Sequence, residues 1–155
     1  MGSAKKCGSG QNKQRQKYQT VNKTVQFFIL NGETVQEVDN LVVTDGKEYV
    51  ASRMKDATKT AMSHMAIGSG STAAAAGNSA LGSELGRVAL TSTNVASNVV
   101  TYAATFAAGT GTGAVTEAGI LNANTSGELL CRTVFSVVNK GASDSMTITW
   151  TVTVS

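Results

Sequence analysis

The stretch Asp144–Ser155, D-S-M-T-I-T-W-T-V-T-V-S, decides the fold. Met146, Ile148, Trp150, Val152 and Val154 alternate along it with Thr147, Thr149, Thr151 and Thr153. Successive side chains of an extended chain point to opposite faces, so this spacing makes one apolar face and one hydroxyl face. A helix would scatter the same five apolar groups around its circumference, and β-branched Thr and Val suit a pleated surface. The only tryptophan of the chain stands at the middle of the apolar face. The stretch therefore reads as a half-buried strand forming one inner wall of a two-sheet core.

Such a wall needs partners, and the chain supplies them on its amino-terminal side. Leu129–Val138, L-L-C-R-T-V-F-S-V-V, is apolar on both faces and reads as a central strand. Asn139–Ser143 makes the turn between it and the closing strand. Val115–Asn122 is a further strand with a bend expected at Gly119, followed by an N-A-N-T-S-G turn. Asn98–Phe106 places Val100, Tyr102, Ala104 and Phe106 on one face, and Arg87–Thr93 and Met62–Ile67 read as strands as well. Near the start, Thr24–Leu30 is a strand, Asn31-Gly32 a tight hairpin of residues that tolerate positive φ, and Thr34–Val43 a return strand with a bulge.

Two segments break the β pattern. Thr44 can cap a helix running through K-E-Y-V-A-S-R-M-K-D-A, with Val50, Met54 and Ala57 near helical spacing and Asp45 and Glu48 at the positive end of its dipole. Residues 71–86 are small, T-A-A-A-A-G-N-S-A-L-G-S-E-L-G after Ser71, and the glycines interrupt the alanines, which predicts a long packed connection. The sum is an all-β, jelly-roll-like sandwich of about eight strands with one short helix, spanning residues 24–155, preceded by an extended arm at residues 1–23. With 155 residues, one domain of this kind buries most of its unfolded surface.

Charge divides at the same boundary. Residues 1–23 carry Lys5, Lys6, Lys13, Arg15, Lys17 and Lys23 and no acid, whereas the remainder has seven basic and ten acidic residues, a balance of −3 within a total of +3. The arm has little apolar surface to offset its ordering entropy, so alone it is expected to be disordered, either as a floppy terminus or as an arm that takes shape against an acidic partner, with Tyr18 among the contacting residues. Nucleic acid ranks last among its partners, because Tyr18 is the arm's one aromatic and no stacking series accompanies the charges.

The chemistry-bearing residues point away from catalysis. His64 is the sole histidine, the carboxylates are scattered, and neither metal-ligand spacing nor a nucleophile and base pair is visible, so no catalytic, metal or cofactor residue is assigned. His64 reads as a polar-face or interface contact. Gly68-Ser69-Gly70 lacks the Gly-Lys-Ser/Thr continuation of a phosphate loop. Glu117 is expected to pair with Arg132 or Arg87 across strands. Cys7 and Cys131 read as free thiols, which suits assembly in a reducing cytoplasm. No apolar run approaches the roughly 20 residues that cross a bilayer, and no signal-peptide core opens the chain.

The runs I-G-S-G-S-T-A-A-A-A-G-N-S-A-L-G-S-E-L-G-R (67–87), V-T-Y-A-A-T-F (100–106), G-T-G-A-V-T-E-A-G-I-L-N (111–122), L-L-C-R-T-V-F (129–135) and the closing strand resemble a β-sandwich domain of tailed-bacteriophage structural proteins. The resemblance covers residues 62–155. It implies a virion protein on the capsid exterior, a cement or decoration protein that bridges major capsid subunits and self-associates as trimers or dimers. The alternative it implies is a tail fibre, collar or adaptor protein. A carbohydrate-binding sandwich is a further class, set back by having only eight aromatics, most of them in strands.

Overall fold

The computed structural model describes residues 25–154. Ten strands form two five-stranded antiparallel sheets, with one helix, so the chain is an all-β sandwich. The strands are β1 (Val25–Leu30), β2 (Glu33–Asp39), β3 (Leu41–Val42), β4 (His64–Gly68), β5 (Glu84–Ala89), β6 (Ser92–Ala96), β7 (Val99–Phe106), β8 (Gly113–Leu121), β9 (Leu129–Lys140) and β10 (Met146–Thr153), and the helix α1 is Thr44–Lys55. One sheet runs β2-β1-β10-β7-β6 and the other β3-β9-β8-β4-β5.

The closing strand β10 is central in its sheet, between β1 and β7. Its register sets apolar against apolar: Ile148 lies between Phe28 and Ala104, Trp150 opposite Tyr102, and Met146 between Leu30 and Phe106. Met146, Ile148, Trp150 and Val152 are buried, and the intervening threonines are half-buried on the other face. There Thr147 and Thr105 share a hydroxyl hydrogen bond of 2.9 Å across strands. The facing sheet contributes Met65 and Ile67 from β4, Val115, Ala118 and Ile120 from β8, and Leu130, Phe135 and Val138 from β9. Phe28 and Phe135 meet across the sandwich with ring centroids 4.2 Å apart, tilted at 47°.

Where the chain changes sheets, the strands are shorter than their sequence suggests. The expected return strand 34–43 is two pieces: β2 ends at Asp39 in one sheet, and β3 begins at Leu41 in the other. Asn40 is the crossing residue, and Thr133 Oγ1 donates to the Asp39 carbonyl at 2.7 Å to hold it. The expected strand 87–93 divides likewise, into β5 and β6 with Leu90 and Thr91 between them. Asn31-Gly32 does form the β1–β2 hairpin, with φ of +49° and +90°.

Helix α1 forms where expected but turns a different face inward. Its N-cap is Val43 with no side-chain cap bond, and the Thr44 N–H donates to the Ala76 carbonyl at 2.7 Å instead. Met54, expected on the apolar face, is 84% exposed, while Gly46 and Tyr49 are the buried residues. Gly46 is the reason: a Cβ there would fall on the Leu130 carbonyl, so its absence lets the helix backbone lie directly on β9. Gly46→Ala is therefore expected to push the helix off the sheet and cost about 1–3 kcal/mol in urea unfolding, despite alanine's better helix propensity.

Candidate functional site

The outer face of the β3-β9-β8-β4-β5 sheet is covered by the long connection between β4 and β5, and a buried ion pair is the hub of the contacts that hold that cover in place. Strand pairing puts Arg132 of β9 opposite Gly119 of β8, two residues from Glu117 on the same face. Arg132 Nε donates to Glu117 Oε2 at 2.8 Å, and a second guanidinium nitrogen stands 2.7 Å from the same oxygen. Both side chains are buried, Glu117 completely and Arg132 to within 2%.

Neither charge is spent on its partner alone. The Glu117 carboxylate also accepts the backbone N–H groups of Gly70 at 2.9 Å, Gly82 at 2.9 Å and Ser83 at 2.7 Å, drawing both ends of the connection to one point. Arg132 reaches on to the Asn78 side chain at 3.0 Å and the Thr72 carbonyl at 3.1 Å, so its guanidinium holds the middle. Thr116 Oγ1 adds a bond to the Gly70 carbonyl at 3.0 Å. Burial by itself would raise the Glu117 pKa, but the N–H groups of Gly82 and Ser83, the Arg132 side chain and the Gly70 N–H outweigh it and hold the carboxyl below its ordinary range. With five donors already directed at it, the carboxylate works as a clamp.

The packing beneath follows from small residues. Leu81 descends from the connection onto Ala66, Leu121, Leu129 and Val43, a second apolar cluster outside the main core. Gly119 leaves the room: a Cβ there would stand 2.8 Å from the terminal methyls of both Leu81 and Leu129. Gly119 thus marks a close approach on β8, whose register irregularities fall at Val115/Glu117 and Ile120/Leu121. Two open recesses flank the guanidinium, one of about 330 Å³ beside Asn40 and Val134 and one of about 360 Å³ beside Asn78 and Leu81.

Of the two cross-strand partners expected for Glu117, the structure selects Arg132. Arg87 pairs instead with Glu84, at 2.7 Å, and donates to the Ala123 and Ser126 carbonyls at 2.9 and 2.8 Å, tying β5 to the β8–β9 turn. His64 is half-buried at the start of β4, with Nδ1 2.8 Å from the Ser63 hydroxyl. Cys131 is a free, fully buried thiol whose pKa burial pushes well up. The sequence did not reveal the donor role of Gly70 and Gly82. The N–H groups of a glycine-rich segment do face an anion here, and that anion is the protein's own Glu117.

The expected partner-binding residues Lys5, Lys6, Lys13, Arg15, Lys17, Tyr18 and Lys23 lie outside the described residues. Among the described residues, no three His, Cys, Asp or Glu side chains gather as a metal site, and no helix is long and apolar enough to cross a membrane. What they define is an antiparallel β-sandwich with one outer face roofed by a clamped connection. Compared with protein-family models, curated proteins and solved structures, the chain matches none of them.

Proposed function

We propose that this protein is a capsid cement protein of a tailed bacteriophage, attached to the outside of the shell and bridging major capsid subunits. The observation that carries the reading is the division of charge, six basic residues and no acid in residues 1–23 against a body at −3. The resemblance of residues 62–155 to phage structural sandwiches points the same way. A sandwich whose longest connection is pinned by a buried ion pair suits a part that transmits load between neighbours. The basic segment lies along acidic subunit surfaces, and the body associates with further copies of itself. Fixing a segment costs roughly 1–2 kcal/mol per residue, so it must bury area or pair several charges. Many copies on one shell make weak single contacts add up.

Deleting residues 2–20 tests the mechanism. Occupancy on purified shells is expected to fall, with the apparent affinity reduced by about tenfold or more at low salt and the difference shrinking as salt is raised. Shells carrying the shortened protein should also lose part of their protection against heat. Undiminished occupancy removes the basic segment from the mechanism. Immunogold labelling confined to tails, or virions lacking the protein, overturns the capsid assignment.

A further inference from the structure

We propose that two copies of this protein pair through strand β6, antiparallel across a two-fold axis near Asn94, and continue one sheet from copy to copy. A sheet edge offers unpaired N–H and C=O groups, and proteins that stay apart blunt their edges with charge, brevity or irregularity. Of the four edges formed by the described residues, three are blunted. β2 carries Glu33, Glu37 and Asp39 with no basic residue, β3 has two residues, and β5 bears the Glu84–Arg87 pair beside a register irregularity at Ile67/Gly68.

β6 has none of these devices. Its sequence is S-T-N-V-A, uncharged and free of proline, and all five residues are exposed. It hydrogen-bonds to β7 on one side, and among the described residues no strand flanks the other. The absence of charge also fits a second copy as the occupant. Two-fold pairing sets residues against the same strand of an identical chain, so an acidic strand such as β2 repels itself, whereas β6 does not.

The side chains agree with the backbone. Register opposite Val100 places Val95 on the inward face, yet Val95 is 66% exposed. It stands at the mouth of a mainly apolar groove of about 410 Å³ between the sheet edge and α1, lined also by Tyr49, Val50, Met62, Tyr102 and Val154. A copy paired about Asn94 brings its own Thr93 directly opposite Val95 and covers this rim. Such pairing would supply the self-association included in the capsid reading, but it rests on the β6 edge and its side chains and not on that reading.

The test uses the full chain without shells. Sedimentation equilibrium should show a concentration-dependent species at twice the 15.9 kDa chain mass. Val95→Lys, at an exposed site, should leave the fold intact by circular dichroism and weaken dimerisation by about tenfold or more. In a Cys7→Ser background, with Cys131 buried, oxidation of Asn94→Cys should trap a covalent dimer, because facing Cα atoms in such a pair lie about 4.5–5.5 Å apart, within disulfide reach. A monomer at every concentration overturns the pairing even if shell occupancy is normal. So does an oligomer that is indifferent to Val95→Lys and not trapped through position 94. Loss of shell binding with the dimer intact instead counts against the capsid reading.

Discussion

Glu117→Ala is expected to lower the free energy of unfolding by about 3–5 kcal/mol, because it strands a buried guanidinium and removes the acceptor of three backbone N–H groups. Arg132→Ala should cost less, since Glu117 keeps the N–H groups of Gly70, Gly82 and Ser83. Combining the two changes separates a clamp from a simple ion pair. Were the pair all that mattered, removing both charges would recover most of the loss. Here the double variant should stay about 2–3 kcal/mol below wild type, for the backbone donors remain unpaired under the connection. Glu117→Gln keeps an acceptor oxygen and should fall between wild type and Glu117→Ala. Urea unfolding gives these values, and limited proteolysis should find new cleavage between residues 69 and 83 in the variants.

The same carboxylate sets an acid limit. Its folded pKa is depressed, so the stabilisation is fully present above the unfolded value, near pH 4, and is lost as pH falls through the lower folded value. Wild type should therefore lose stability below about pH 4 more steeply than Glu117→Gln, whose amide does not titrate. Asp144 contributes to wild type and variant alike, its pKa lowered by the Asn31 side chain and the Gly141 N–H. Parallel acid profiles for the two proteins would show that Glu117 does not carry the transition.

The strands whose burial alternates one residue at a time were legible without coordinates. β10, β7 and the two-faced β9 needed only the two-residue period and the apolar run. Legibility failed where the deciding contact lies far off in sequence. Nothing local in residues 34–43 marks Asn40 as a crossing point, because what holds it there is Thr133, and nothing near Leu90 says that the chain leaves one sheet for the other. In α1 the period was right but the face was misjudged, since Gly46 carries no hydrophobic signal and acts by having no side chain. Glu117 was visible as half of a pair, but the choice between Arg132 and Arg87 depended on strand register. Its N–H donors came from a segment that looked like filler.

Trp150→Ala should be as damaging as loss of the clamp, at about 3–5 kcal/mol, through a different mechanism. The indole is fully buried on the central strand of its sheet, opposite Tyr102, so truncation leaves a void that the flanking strands β1 and β7 are poorly placed to fill. Trp150→Phe separates shape from polarity. The indole Nε1 has no hydrogen-bond partner among the described residues, so phenylalanine gives up volume while leaving no orphaned acceptor behind. That variant should lose only about 1–2 kcal/mol. Because Trp150 is the only tryptophan, its fluorescence reports core opening in wild type alone, and the variants need far-ultraviolet circular dichroism. A Trp150→Phe loss as large as that of Trp150→Ala would mean that the space left by the smaller ring is not refilled and that only the full indole fits the wall. In the clamp the ordering reverses, with polarity decisive and volume incidental, so the two series probe separate sides of one sheet-on-sheet body: its inner core and its roof.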